Sequence, residues 1–309
     1  MALTRRQLIG GSVGIGIGIG LASSRRAAMA QPSIEVRTVE ELVTAIAPNR
    51  TLQLTRGKFT LSDLDSSWRS PYARFESVYD GYELVITDVD NLRLVGTNSR
   101  QSRLLTHPRY ADVLKFQNCR NVQITDLELA HTSTAGFCRG GVLSFVDSAD
   151  VQLERCVLYG SGTHGIEADG LNGLYCLHVN IRDCTYGILC LNRARDIDFE
   201  SCQFFSNRGF SMIGLNQCQT VRFFDCLMYD NRVDLIAGMP PTGDDFMFNV
   251  VASDGVELER CTLQDNLVTY LATHPEAIAL RDTTIVGNTF TNSLYPTDGG
   301  YQSPPLCPI

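Results

Sequence analysis

VQLERCVLYGS at 151–161, IDFESCQFFSN at 197–207, VRFFDCLMYDN at 221–231 and VELERCTLQDN at 256–266 can be laid on one another residue by residue. VQITDLELAHT at 122–132 and IALRDTTIVGN at 278–288 follow the same pattern, and LYCLHVNIRDC at 174–184 follows it more loosely. Their first residues are separated by 29, 23, 23, 24, 35 and 22 positions. Recurrence at such a period, with apolar residues at every second position, is the mark of a solenoid built from short strands.

Successive side chains of a strand point to opposite faces, so the apolar columns are expected inside. The first column reads Val122, Val151, Leu174, Ile197, Val221, Val256, Ile278. Two places on stand Ile124, Leu153, Cys176, Phe199, Phe223, Leu258 and Leu280, and five places on Leu127, Cys156, Val179, Cys202, Cys226, Cys261 and Thr283. Seven places on come Leu129, Leu158, Ile181, Phe204, Met228, Leu263 and Ile285. A further apolar pair precedes each start, from Leu114/Phe116 and Leu143/Phe145 to Phe248/Val250 and Tyr270/Ala272. Three short strands per coil follow. A leucine-rich repeat has a similar consensus but would devote the rest of its period to a helix or 3₁₀ turn. Here that remainder reads HGIEADG, YGILCLN and FSMIGLN, short alternating runs that suit strands.

These coils, the opening TVEELVTAI with NRTLQLTRGKFTL, and DGYELVI from Asp80 resemble the right-handed parallel β-helix proteins of the pectate-lyase-like superfamily. HTSTAGFCRGGVL (131–143) followed by LYGSGTHGI (158–166) is similar to a subgroup of exported bacterial members without an assigned activity. The resemblance implies an all-β, single-stranded right-handed β-helix and a polysaccharide partner that is bound, and cleaved or modified by lyase, hydrolase or epimerase chemistry. The competing reading is a non-catalytic carbohydrate- or protein-binding, or structural, β-helix protein.

LTRRQLIGG, then VGIGIGIGLA, then Ala28-Met29-Ala30 reads as a twin-arginine leader over 1–30. The expected organisation is leader, β-helix over 31–292, and tail over 293–309, with the mature chain periplasmic or extracellular. The apolar run is too short and glycine-rich for a membrane span, so none is expected after leader cleavage. The chain carries 26 basic and 34 acidic residues; without the leader's four arginines the balance is 22 to 34, net −12. So acidic a body disfavours nucleic acid and anionic membranes as partners.

Eleven cysteines in an exported chain would ordinarily suggest disulfides. Cys156, Cys202, Cys226 and Cys261 share one interior column, however, where thiols act as small hydrophobes. Cys138 and Cys307 are the candidates for exposed or paired thiols. Asn207, Asn231, Asn266 and Asn288 align ten places after each start and are expected to form a structural ladder. Thr38-Val39-Glu40-Glu41 has capping-box spacing and leads into Leu42, Val43 and Ile46, a short helix that would seal the N-terminal end.

The outward positions of the upstream strand read Lys115, Ser144, Glu167, Cys190, Gly214, Asn249, then Gln117, Val146, Asp169, Asn192, Asn216, Val251. The expected result is a solvent-side polar stripe, read as a carbohydrate groove, with a hydrated face bearing an incidental acidic pair as the alternative. Glu167 and Asp169 project alike from one strand and are the candidate catalytic carboxylates, with His164 as proton carrier. Calcium held by such a pair against a uronate is the one cofactor considered, and no protein-held metal is assigned. Lys115, Asn192 and Asn216 are candidate substrate contacts on the stripe. His131, Tyr186, Arg208 and Arg232 are candidates along its edge, where Tyr159 is also expected. Insertions over 130–140 and 229–245 interrupt the period, the second carrying Asp230, Asp234, Asp244 and Asp245. Gly243-Asp244-Asp245 is similar to a polygalacturonase motif, but the other motifs of that group are absent.

Overall fold

The computed structural model describes residues 33–133, 139–160, 162–233 and 245–296. The leader expected over 1–30, Cys138, Asp234, Asp244, Cys307 and most of the expected tail lie outside the described residues.

Alternation of apolar residues becomes three parallel sheets wound one after another around each coil, of ten, nine and nine strands. The fold is a right-handed parallel β-helix. One coil runs from Ala149–Glu154 in the first sheet to Val157–Tyr159 in the third and Ile166–Asp169 in the second, then returns to Asn172–Leu177. Register follows the sequence alignment: Val151 lies beside Val122 and Leu174, and Leu158 beside Leu129 and Ile181. No leucine-rich-repeat helix occurs among the described residues; one α-helix, Val39–Ala45, and one 3₁₀ turn, Leu61–Asp63, both precede the aligned segments that begin at Val122. The one antiparallel pairing of the main sheets is a hairpin, Ala73–Val78 with Gly81–Thr87, which begins the second sheet.

The interior columns are buried from Val122 to Ile278, and aromatic rings stack within them, Phe199 on Phe223 with centroids 5.0 Å apart. The last coil departs from this: Leu280 and Ile285 are 39% and 36% exposed. Corners are turned by residues in the left-handed region. Asp126, Arg155, His178, Ser201, Asp225, Arg260 and Asp282, at one offset in seven coils, all have φ between 49° and 57°. Asp is tolerated there; Arg, His and Ser are held by the hydrogen bonds of the coils on either side.

Thr38 caps the helix, its Oγ1 accepting from Glu41 N at 3.1 Å. Glu41 in turn accepts from Arg37 N at 2.7 Å, so the reciprocal bond lands one residue before the cap. Leu42, Val43 and Ile46 are buried as expected.

The asparagine ladder is continuous. Asn207 Nδ2 donates to Asn231 Oδ1 at 2.9 Å, Asn231 Nδ2 to Asn266 Oδ1 at 2.9 Å, and Asn266 Nδ2 to Asn288 Oδ1 at 2.8 Å. Each Nδ2 also reaches a carbonyl of the coil before, such as Phe204 O for Asn231 at 2.9 Å. The cysteine column is likewise a packing column: Cys156, Cys202, Cys226 and Cys261 are buried and unbridged. Burial pushes the thiol of Cys156 up to about 12 and that of Cys119 up to about 11.

Three outcomes follow from these columns and the outer surface around them. Asn231→Ala removes four bonds, two donated by its Nδ2 and two that its Oδ1 accepts from Asn207 N and Nδ2, and should lower the unfolding free energy by about 2–4 kcal/mol in urea titration. Gln152→Ala on the outer surface should change it by less than about 0.5 kcal/mol. The eight buried free cysteines should resist alkylation at pH 8 and react only after guanidinium unfolding, read peptide by peptide by mass spectrometry.

Candidate active site

Strand pairing brings Lys115, Ser144, Glu167, Cys190, Gly214 and Asn249 into one outward column of the second sheet, rung by rung. This is the register expected from the sequence, but the column is not a hydrated face. Ser144 and Glu167 are each 1% exposed, and Cys190 is fully buried and disulfide-bonded. The neighbouring column, with Asp169, Asn192 and Asn216, is half-exposed.

Buried ionisable groups need partners, and those of Glu167 come from two directions. His164, three residues earlier and 4% exposed, places Nδ1 3.1 Å from Glu167 Oε1. The other side holds two carboxylates outside the repeat. Glu83 lies on the hairpin strand Gly81–Thr87, and Asp112 in the turn before Leu114–Gln117. Glu83 Oε2 accepts from Asp112 N at 3.1 Å, and Lys115 Nζ lies 3.4 Å from Glu83 Oε1. Asp112 Oδ1 accepts from Gly141 N at 2.7 Å.

Gly141 is where these groups converge. A Cβ there would meet Asp112 Oδ1 at 3.1 Å, the His164 carbonyl at 3.2 Å and Glu167 Cδ at 3.3 Å. A side chain at 141 would therefore push the two carboxyl groups apart. Burial, then the Glu167 and Glu83 carboxylates, hold the Asp112 carboxyl well above the usual carboxylate range. The Gly141 N–H and the Lys115 ammonium offset this only in part. The arrangement favours a protonated Asp112 beside a Glu167 paired with histidine, two carboxyl groups with divided roles.

The other candidate residues are distributed as follows. Asp169 Oδ1 accepts from Asn192 Nδ2 and from Arg193 Nε, each at 2.8 Å, and Asn192 Oδ1 accepts from Asn216 Nδ2 at 2.8 Å. Asp169, Asn192 and Asn216 thus form a second ladder, and Asp112 rather than Asp169 lies against the Gly141 junction. His131 is buried and donates from Nε2 to the Ala111 carbonyl at 2.8 Å, which steadies the turn presenting Asp112. Burial lowers its pKa and favours the neutral ring.

Tyr186 lies beside His164, ring centroids 6.2 Å apart, and tilts against Phe210 at 4.6 Å. Arg208 and Arg232 meet on adjacent coils as their shared offset requires, with Arg208 paired to Asp230 at 3.4 Å. Tyr159 departs from expectation. It sits on the outer face of the third sheet, its hydroxyl 2.7 Å from Glu128 and 2.6 Å from Arg103. Among the described residues no three His, Cys, Asp or Glu side chains are grouped to hold a metal.

Sequence reasoning missed Glu83, Asp112 and Phe210. Glu83 and Asp112 stand outside the repeated offsets, and only the alternation of Glu83 within DGYELVI hinted at its outward direction. Phe210 shares its turn position with Tyr186, which the YGILCLN and FSMIGLN alignment already displays.

The family model described as right handed beta helix region matches residues 113–301, and the chain belongs to that family. Among solved structures it is similar to a pectate lyase from Paenibacillus sp. 0602, with TM-score 0.54 and 10% identity over 84% of this chain and 78% of that one. It is also similar to a rhamnogalacturonan lyase, with TM-score 0.50 and 12% identity over 81% of this chain and 69% of that one. At such identities the likeness is one of fold. No curated protein matches the sequence. No helix among the described residues is long and apolar enough to cross a membrane.

The raised Asp112 carboxyl makes a signed prediction. The unfolded chain ionises Asp112 near pH 4, whereas the folded chain keeps the proton to higher pH. Folding is opposed above that value, increasingly so up to the folded pKa, and not below it. Asp112→Asn should therefore raise the melting temperature at pH 7, and the gain should vanish as the pH is brought down to about 4. A lower melting temperature at pH 7 would show that the carboxyl stabilises the fold.

Proposed function

We propose that this chain is exported and acts on a polysaccharide, with hydrolysis of a glycosidic bond the reaction its geometry supports best. The observation that carries the reading is the buried outward cluster, in which Asp112 and Glu167 converge on Gly141, and burial, then the Glu167 and Glu83 carboxylates, hold the Asp112 carboxyl well above its ordinary range. Such a cluster is not needed to wind a coil, and perturbed, buried ionisable groups gather at functional sites. Glycoside hydrolysis uses one protonated carboxylic acid and one carboxylate. In that role Asp112 gives its proton to the leaving oxygen as the bond to the anomeric carbon breaks. Glu167, oriented by His164 and too close to Asp112 for a water to stand between them, bonds to that carbon as the leaving oxygen departs; water then displaces it, its oxygen joining the carbon and its proton returning to Asp112.

Lyase or epimerase chemistry would need a free base beside a neutralised uronate; Lys115 is instead committed to Glu83 at 3.4 Å. The twin-arginine leader supports delivery of the folded chain to the periplasm or beyond. The second reading, non-catalytic binding, is favoured by the low exposure of Glu167 and its bond to His164.

Incubating the mature protein with plant, algal and bacterial glycans separates these readings. New reducing ends are expected. Unsaturated uronate absorbance would instead mark a lyase, and binding without turnover the second reading. Glu167→Gln and Asp112→Asn should each lower kcat about 100-fold or more while the folded circular dichroism spectrum is kept. Undiminished turnover in both variants would remove the cluster from the chemistry.

A further inference from the structure

Two buried hydroxyls beside the cluster lack a hydrogen-bond partner. Ser144, 1% exposed, stands in the outward column between Lys115 and Glu167, and Thr163, fully buried, immediately precedes His164. Buried polar groups are ordinarily bonded, so each of these hydroxyls, one on the rung beside Glu167 and one next to His164, marks a bond that a hydroxyl-bearing ligand could complete.

Beside them stands an aromatic pair. Tyr186 N donates to the Thr163 carbonyl at 3.1 Å, and the half-buried Tyr186 and Phe210 rings lean together on successive coils. Aromatic rings offer an apolar face and a large contact area, which suits the C–H face of a pyranose ring.

Of the cations near these groups most are already matched, the exposed Arg139 two residues before Gly141 standing apart from these pairs. Lys115 pairs with Glu83 at 3.4 Å, Arg193 with Asp169 at 2.8 Å and Arg208 with Asp230 at 3.4 Å, and Arg232 is engaged as well. Glu83, Asp112 and Glu167 face a single lysine in the cluster itself. A uronate entering there would find carboxylates already in place and would take a cation from one of them. Removing a partner from a buried charge is strongly unfavourable.

We infer that the site takes an uncharged pyranose glycan, stacked on Tyr186 and Phe210 with its hydroxyls bonded to Ser144 and Thr163, and that it discriminates against polyuronates. The elevated Asp112 pKa accords with this, since each carboxylate already present opposes the ionisation of another. The inference rests on the proposed action on a polysaccharide and adds the charge class of the substrate. It departs from the pectate lyase that shares the fold, whose name denotes an acidic polymer.

The test compares neutral and acidic members of the glycan panel by calorimetry, followed by a matched series: one polyuronate, its methyl ester and its carboxyl-reduced form. Neutral members should bind, and within the series the ester and reduced forms should bind at least about tenfold more tightly than the acid, with little dependence on salt. Tyr186→Ala and Phe210→Ala should each weaken neutral-glycan binding by about tenfold. Binding confined to acidic members, weakened by salt and lost in Arg139→Gln, would overturn the inference while leaving action on a polysaccharide intact. It would also make the exposed Arg139 the carboxylate partner. Binding to no glycan at all would remove the proposed function and this inference together.

Discussion

Everything in this molecule depends on parallel hydrogen bonding between successive coils in one fixed register. A slip of one residue would turn the interior columns outward, because side chains alternate with a period of two. The interior therefore specifies the register strongly, through Val151 against Val122 and Leu158 against Ile181. The left-handed corners add a second constraint: with φ between 49° and 57° at one offset in seven coils, each chain reversal falls at the same place. Asn207, Asn231, Asn266 and Asn288 add a third, since a ladder of amides bonds only when the turns stand in line.

That regularity gives departures from it their meaning. Surface ion pairs such as Arg155 with Asp126 and Arg260 with Asp225 bridge equivalent corners of neighbouring coils and contribute little to stability. Asp169, Asn192 and Asn216 repeat the ladder principle on the outer face. The Glu83, Asp112 and Glu167 cluster does neither. It gathers acids buried on a face that a solenoid normally leaves to solvent, and that burial, together with the charge of the others, raises the pKa of one. A fold that bears such a cost at one place is displaying the trade between stability and chemistry expected of an active site.

The site is also assembled from unequal sources. Glu167 and His164 belong to the repeating coils, Lys115 and Asp112 to the first of the aligned rungs, and Glu83 to a hairpin with no counterpart elsewhere among the described residues. The hairpin thus does more than begin the second sheet, because its outward carboxylate holds the Asp112 amide and the Lys115 ammonium. His131 supports the same turn from behind, through the Ala111 carbonyl.

Sequence alone determined the solenoid, its three strands per coil, the interior columns, the amide ladder, the unbridged cysteine column and the capping helix. All of these follow from short-range alternation repeated at equal offsets, which needs no knowledge of distant contacts. It also singled out His164 and Glu167, and the meeting of Arg208 with Arg232. Only the tertiary structure decided that the Glu167 column is buried, that Asp169 belongs to a ladder, and that Tyr159 serves the third sheet. It alone brought Glu83 and Asp112 to Gly141. Alternation tells which way a side chain leaves the backbone; whether water or another carboxylate waits there depends on segments that do not repeat, and no period records them.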